Sequence, residues 1–572
     1  MPSESLTFHD SAEAGISGSD AVPAWKFTQS ILRDSLKGLD ASGDPVDSTA
    51  PLESETLFLL ESETEWRSRF PDAFKAIARQ SLRAPQDATR VAEQGLQSIH
   101  SRVWSERNGK RFSLDRAVED AVGERAFDTV EIKGKSNLKD LSAWVSSSFK
   151  RVKHHAQRGF AEPSVVTATE LVDMNPEWCD LTGRTFVVFN ALSRFAPVVE
   201  LLDCGATVLA IDSPSEHAYD ELAKACTKKT PGTLKLPHLD SVVGADVRTW
   251  FPEIARWIVN ETRENPATIL TIIDPEPSEG GVSLLQKSIC IDSIVEYVCN
   301  LVPETSLATF SSPTDVHCVP ALAADLAHKR FDHRNPIVQA LQAVSRQHWL
   351  RKNTSELVVE RQIGGGRVPL GNAIKSQGHL GRHDAQARSY VILENVLTDE
   401  PDSCAIQLAL LVQRWRIIVA RAIGTYRWLA DKRKHRVSAN VLPLYCREDD
   451  DGLERFGVGK FAENEIRETG VILLIRDMRD PHSPGNPTLQ IDNPLEVFRD
   501  CSFHGGVFRS AFKLASMRQV AKRGFVVERI ALVAIVGLLF IVAVRLASRM
   551  SLLVLNDSNN NKSSSSTSSG EL

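Results

Sequence analysis

Between Gly183 and Ile273 the apolar residues fall into short runs of five to seven, separated by stretches with helical spacing. TFVVF (Thr185–Phe189) reads as a buried strand. Pro197, Val198, Val199, Leu201 and Leu202 then suit a helix closed by Gly205, and TVLAI (Thr207–Ile211) is a second strand ending at Asp212. The alternation continues. VVGADV reads as a strand ending near Asp246, PEIARWIV as a helix, ATILTII (Ala267–Ile273) as a strand ending at Asp274, Val282–Leu301 as a helix and SLATF (Ser306–Phe310) as a strand. Further on come a strand in RSYVILENV (Arg388–Val396), a long helix over Ser403–Gly424, a strand in RVSANVLP (Arg436–Pro443) and a helix near Glu463–Asp477. Strand–helix repetition of this kind predicts an α/β fold, a doubly wound parallel (Rossmann-like) sheet spanning residues 180–515.

The flanks read differently. Residues 1–54, rich in Ser, Asp, Gly and Pro, predict a disordered arm. Residues 55–160 predict a helical region, with Phe70, Phe74 and Ile77, then Val91, Leu96 and Ile99, at helical spacings. Lys150, Arg151, Lys153, His154, His155 and Arg158 form a basic run, expected to be a solvated helix face. Residues 330–386 predict a loop insertion; its segment 363–386 carries six glycines and lacks the G-x-x-x-x-G-K-[ST] phosphate loop.

The most apolar stretch lies near the end. Ile530–Val544 is fifteen uncharged apolar residues, and the span from Phe525 to Ala547 would make a helix of about 34 Å, enough for the hydrocarbon core. Glu528, Arg529 and Arg545 sit near its ends, where arginines can reach the interface. A polar stripe is absent from the run, whereas a buried core helix usually keeps one. Residues 551–572 form a polar, low-complexity tail predicted to be disordered, with two sequons at Asn556 and Asn561. Arg518, Lys522, Arg523 and Arg529 precede the span while Arg545 and Arg549 follow it, so the bulk of the chain is expected in the cytosol. The expected location is the endoplasmic reticulum or another organelle membrane, with the lipid bilayer contacted through residues 525–547.

Charge and composition narrow the partners. The 67 Lys and Arg against 73 Asp and Glu leave no basic excess, so nucleic acid is not the expected partner. The nine cysteines include no C-x-x-C pair and predict reduced thiols without a metal site. The opening MPSESLTFHD is polar and acidic, unlike a secretory or transit segment.

In a doubly wound sheet a ligand sits beyond the C-terminal strand ends. The candidates there are Asn190, Ala191, Asp212, Asp246 and Val247, with Asp274 on the next strand. Asp212 is placed to hydrogen-bond an adenosine ribose; Asp246 and Val247 are placed beside an adenine. Acidic residues also cap helices after such strands, and that alternative stands beside the first. The turn NALSRFAP (Asn190–Pro197) has no glycine where a pyrophosphate would approach backbone. Asn190 can adopt a left-handed conformation, whereas Arg194 and Phe195 crowd the phosphate position.

The run TFVVFNALSRFAPVVELLDCGATVLAID, then GADV, then a long helix followed by RVSANVLP, resembles the short-chain dehydrogenase/reductase superfamily over roughly residues 183–445. The chain also looks like an uncharacterised branch with Q-R-W-R (Gln413, Arg414, Trp415, Arg416) and H-G-G (His504, Gly505, Gly506) and a C-terminal membrane anchor. The resemblance implies a fold that binds NAD or NADP and a Tyr-x-x-x-Lys pair, in which the lysine lowers the tyrosine's pKa for proton transfer. No such pair occurs: Tyr219, Tyr297, Tyr390, Tyr426 and Tyr445 are followed four residues on by Ala223, Leu301, Glu394, Ala430 and Asp449. The two alignable positions hold Ile406 with Leu410, or Asp325 with Lys329. G-x-S-x-G and H-E-x-x-H are also absent.

The leading expectation is therefore a membrane-anchored, dehydrogenase-like pseudo-enzyme that binds a small-molecule nucleotide weakly or acts as a scaffold. One alternative is an active NAD(P)-dependent oxidoreductase on a lipid or apolar substrate, with Asp315 or His317 as proton donor. Another is an S-adenosylmethionine-dependent methyltransferase, for which D-P-E-P (Asp274–Pro277) would be a substrate loop.

Overall fold

The computed structural model describes residues 5–9, 21–37, 62–83, 85–107, 110–120, 125–273, 279–334, 339, 350–353, 356–359, 389–396, 402–423, 435–443, 452–491, 493–499, 502–521 and 544–545. Three sheets are present among them. A small antiparallel one joins β1 (Ser5–Phe8), β2 (Val103–Arg107) and β3 (Lys110–Ser113). The central sheet holds β4 (Asp128–Lys133), β5 (Thr185–Phe189), β6 (Thr207–Ile211), β7 (Thr233–Leu239), β8 (Val242–Val243), β9 (Ala267–Ile272), β10 (Ser306–Ser311) and β14 (Val437–Val441). The third, antiparallel, comprises β11 (Val316–Pro320), β12 (Glu356–Val359) and β13 (Ser389–Glu394).

Six strands of the central sheet run parallel, in the order β7-β6-β5-β9-β10-β14, which is 3-2-1-4-5-6 when they are numbered along the chain. β4 closes the β7 edge antiparallel, with Val130 opposite Leu236 and Ile132 opposite Leu234. The molecule is thus α/β, with a mixed sheet dominated by parallel pairs.

The helices that frame the sheet and the N-terminal region include α1 (Ala24–Leu36), α2 (Glu63–Arg83), α3 (Pro85–Arg102), α4 (Ser142–Gln157), α5 (Pro163–Met174), α6 (Val198–Asp203), α7 (Glu216–Lys229), α8 (Val247–Thr262), α9 (Gly281–Leu301), α10 (Ser403–Ile423) and α11 (Glu463–Arg479). They cover both faces of the sheet. Val187, Phe189, Leu209 and Ile211 point into a core built with α8, α9 and α10. Phe186, Val188, Val208 and Ala210 point into a second core, built with α4, α5 and α11. Strands buried on both faces explain why TFVVF and TVLAI carry no polar alternation.

Four expectations change. The arm expected over residues 1–54 contributes β1 and α1, and Phe27, Ile31 and Leu32 of α1 are fully buried in the first core. Their apolar stripe outweighs the polar composition around them. The region 55–160 is not purely helical: β2, β3 and β4 lie within it, and β4 belongs to the central sheet. VVGADV is not a central strand. The third parallel strand is β7, while Val242–Val243 only fold back on it antiparallel. RSYVILENV pairs in the third sheet rather than the central one. The loop insertion 330–386 lies largely outside the described residues. The span 525–547 does so except for Val544 and Arg545, and the tail 551–572 does so entirely.

Among the described residues one helix is long and apolar enough to cross a membrane, Ser403–Ala422 of α10, and 89% of that window is buried inside the protein. A largely apolar helix whose Gln413, Arg414 and Arg416 are paired inside the protein suits its position between the sheet and the N-terminal helices. α3 approaches it closely enough that a Cβ on Gly95 would overlap the indole ring of Trp415, which is 1% exposed. Gly95→Ala is expected to lower stability by about 1–3 kcal/mol, and a denaturation midpoint unchanged from the parent would contradict this packing.

Candidate functional site

The five candidate residues meet at one end of the sheet, beyond the C-termini of β5 and β6. Asn190 follows β5 with a φ of +56° and donates from its amide to the Ile272 carbonyl at 2.6 Å, tying the turn to β9. Ala191 N–H reaches the Ile211 carbonyl at 3.2 Å. Asp212, one residue beyond β6, faces this turn: one carboxylate oxygen accepts from Leu192 N–H at 3.0 Å and the other from Ser213 N–H at 2.8 Å. Its own carbonyl accepts from Ala245 N–H at 2.8 Å, which draws Asp246 and Val247 alongside.

Three further turn amides are also spent. Ser193 N–H bonds to the Asn190 carbonyl, Phe195 N–H to Ser193 Oγ at 3.3 Å and Ala196 N–H to the Ser193 carbonyl. Arg467 donates to the Arg194 carbonyl at 2.8 Å and to Glu200 at 2.7 Å. A dinucleotide needs such amides directed at its pyrophosphate. Here the turn satisfies itself.

Asp246 caps α8, accepting from Arg248 N–H at 2.9 Å, and pairs with the Arg248 guanidinium at 2.7 Å. Burial works to raise its carboxyl, and the hydrogen bonds and charge of Arg248 outweigh that, holding it below the usual carboxylate range. The capping reading is met by Asp246, while Asp212 is the clasp of the β5 turn. Val247, 1% exposed, and Ala191, 5% exposed, belong to the cores.

Three charged residues that the pattern reading passed over complete the corner. Lys287 of α9 bonds to Glu279 at 2.5 Å and lies 3.9 Å from Asp212, while Arg248 also lies 3.6 Å from Glu279 and donates to Ser283 Oγ at 3.0 Å. The available signal was Lys287 itself, a lone cation inside the apolar run VSLLQKSICI, where burial demands an anionic partner.

The proton-transfer candidates are otherwise engaged. Ile406 and Leu410 are buried aliphatics, Ile406 within reach of a Cβ on Gly281. Asp325 and Lys329 are exposed on a separate helix, Ala321–Asp332. Tyr219 lies at the corner, where its hydroxyl donates to the Asp212 carbonyl at 3.0 Å. Burial and the Asp212 charge push that phenol up, opposite to what an acid/base tyrosine requires. Asp315 is bound by Arg414 and by Val316 N–H. His317 meets the Ser312 carbonyl at 2.8 Å, and burial, with Arg414 nearby, brings its pKa down to about 3. Asp274 and the D-P-E-P segment lie outside the described residues, except that Ile273 before them is buried.

The two motif clusters are structural fasteners. Gln413 donates to Ser288 O at 3.2 Å, Arg414 to the Val316 carbonyl at 2.7 Å, and Arg416 to both oxygens of Asp292 at 2.6 and 2.8 Å and to Glu296 at 3.0 Å. His100 of α3 closes the second cluster on Asp292 at 2.8 Å. The potential ligand atoms of His100, Asp292 and Glu296 lie within 4.8 Å of one another, but the Arg416 guanidinium already pairs with both carboxylates there. In the H-G-G segment, Gly505 and Gly506 take φ of +62° and +95°, the tight turn the glycines allow. The fully buried His504 contacts Glu162 at 3.1 Å, and Arg509 grips the same carboxylate at 2.9 and 3.1 Å.

A cavity with a volume of about 450 Å³ lies between α1, α2 and the first turns of α9 and α10. Phe8, Trp25, Trp66, Phe70 and Val282 form its apolar wall, with Gln286 and Arg67 among its polar groups. Compared with protein-family models, curated proteins and solved structures, the chain matches none.

Proposed function

We propose that this is a membrane-tethered scaffold built on a doubly wound, Rossmann-like fold of the short-chain dehydrogenase type, without hydride chemistry and with at most weak affinity for NAD or NADP. The 3-2-1-4-5-6 order of the parallel strands, with helices on both faces, supports the fold reading, because it is the order of dinucleotide-binding sheets. One observation carries the function: the Asp212 carboxylate accepts from Leu192 and Ser213 N–H, and the amides of residues 191, 193, 195 and 196 bond to the Ile211, Asn190 and Ser193 carbonyls or to Ser193 Oγ. A cofactor ribose would have to share the Asp212 carboxylate with two charge-assisted bonds, each worth about 1.5–3 kcal/mol. The absent Tyr-x-x-x-Lys pair and the raised Tyr219 phenol agree with this reading.

The tether rests on the apolar sequence 525–547, with the bulk of the chain on the cytosolic face of an organelle membrane. The full chain is expected to stay with membranes through a carbonate wash, and the variant lacking 525–547 is expected in the supernatant. Recovery of the full chain in the supernatant would remove the tether. Purified chain is expected to leave NADH and NADPH unoxidised in the presence of aldehydes and ketones; sustained turnover would remove the scaffold reading.

A second reading, binding of an apolar ligand, is favoured by the aromatic-lined cavity between α1 and α2, whose volume falls in the range of ligand sites. Quenching of indole fluorescence by a bound apolar ligand, lost in Trp66→Phe and Trp25→Phe chains, is its expected signature. Quenching that survives both substitutions would place the ligand elsewhere.

A further inference from the structure

We infer that the cavity between α1, α2, α9 and α10 takes a neutral apolar molecule carrying one carbonyl group, a ketone or ester whose oxygen accepts from the indole N–H of Trp66. The inference deepens the apolar-ligand reading above and rests on it. Trp66 belongs to the first turn of α2, which Ser62 caps: its Oγ accepts from Glu65 N–H at 3.2 Å and donates to the Glu65 carboxylate at 3.0 Å. Glu63, Glu65 and Arg67 of that turn are exposed, while Trp66, 1% exposed, lies in the cavity wall.

A buried indole usually finds an acceptor for its N–H. This one meets no oxygen or nitrogen acceptor. It is directed at the thiol of Cys404, a weak acceptor that lines the same cavity. Donor and thiol both belong to the wall, so the N–H is offered to the molecule that fills the space. A pure hydrocarbon would leave that donor buried and unbonded; a carbonyl oxygen satisfies it.

The surroundings select an oxygen without a full charge. The first turns of α9 and α10, each helix 21 residues long, meet at the cavity, where a Cβ on Gly281 would lie 2.7 Å from the Asp402 carbonyl. Helix N-termini present partial positive charge, which favours a carbonyl dipole with its oxygen inward. A carboxylate is opposed. Asp402 and Glu63 line the cavity, and the cation among its described lining residues, Arg67, is already paired with Glu63 at 2.8 Å. Burial pushes the Cys404 thiol up to about 11, so it adds no charge at neutral pH. Phe8, Trp25, Phe70 and Val282 complete a wall suited to hydrocarbon.

The test is titration calorimetry of the purified full chain, in one detergent throughout, with 2-undecanone, undecane and undecanoate. The ketone is expected to bind about tenfold tighter than the alkane, and tighter than the carboxylate. Trp66→Phe keeps an aromatic ring and removes the N–H, and it is expected to bring ketone and alkane within about twofold of each other. Trp25→Phe, on the same wall, is expected to leave the preference in place. Partition into detergent is common to parent and variants and cancels in the ratio. Equal binding of ketone and alkane by the parent chain, a comparison that needs no variant to fold, refutes the carbonyl assignment and leaves the apolar-ligand reading standing. A preference that survives Trp66→Phe, or that Trp25→Phe also abolishes, does the same. Tighter binding of undecanoate overturns the neutral class. Binding of none of the three removes the apolar-ligand reading itself, and this inference with it.

Discussion

Asp292→Ala is expected to lower stability by about 3–5 kcal/mol, through the charge it leaves behind. Asp292 is 1% exposed and accepts two bonds from Arg416 and one from His100, so it joins α3, α9 and α10 at one point. Its removal leaves the Arg416 guanidinium with Glu296, whose side chain is 46% exposed, as its anionic partner. The check is equilibrium denaturation of the full chain. If the unpaired cation is the cause, Asp292→Leu with Arg416→Met recovers much of the loss, because apolar replacement of a whole buried pair is often neutral. A double variant as unstable as Asp292→Ala would contradict this. Acid should act on the same group. Burial alone would raise the Asp292 carboxyl, and Arg416 and His100 together bring it down to about 2. The folded pKa lies below the unfolded value, so the stabilisation is complete above about pH 4 and is lost as pH falls toward 2.

Glu162→Ala is the second large effect, again about 3–5 kcal/mol, because it strands Arg509. Glu162 precedes α5, its N–H bonds to the Ser502 carbonyl at 3.1 Å, and its carboxylate holds His504 and Arg509. It therefore clips the C-terminal arm, residues 502–521, to the body of the protein. Burial opposes its ionisation, and His504 and Arg509 outweigh it, holding the carboxyl at about 2. Its contribution also disappears between about pH 4.5 and 2, which adds to the acid sensitivity from Asp292. Limited proteolysis should distinguish the two variants: Glu162→Ala opens residues 502–521 first, whereas Asp292→Ala loosens α3 and α10. Identical cleavage patterns would contradict the separate roles.

Legibility of the fold in the sequence followed burial. β5 and β6 were readable to the residue, because strands covered on both faces are continuous apolar runs. β7 was not: Lys235 and Pro237 interrupt TLKLPHL, and the strand tolerates them beside the antiparallel edge β4. α1 was hidden by composition. Its Ala24, Phe27, Ile31 and Leu32 keep helical spacing within an arm otherwise rich in Ser, Asp, Gly and Pro. The site was legible as a place and less so as chemistry. Asn190, Ala191, Asp212, Asp246 and Val247 do converge, and the left-handed turn at Asn190 follows from the residue type. That Asp212 would bond to Leu192 and Ser213 could not be read from spacing, since it depends on how the turn folds back over β6.

The most direct test of the self-bonded corner is thermal unfolding of the purified full chain with NAD, NADP and S-adenosylmethionine in turn, each at millimolar concentration. A ligand present at 100 times its dissociation constant would stabilise by about 2.7 kcal/mol. The expected result is no shift with any of the three, together with a lower melting temperature for Asp212→Ala, which loses the bonds to Leu192 and Ser213. A clear shift with NAD or NADP that Asp212→Arg abolishes would contradict the account and restore a working nucleotide site.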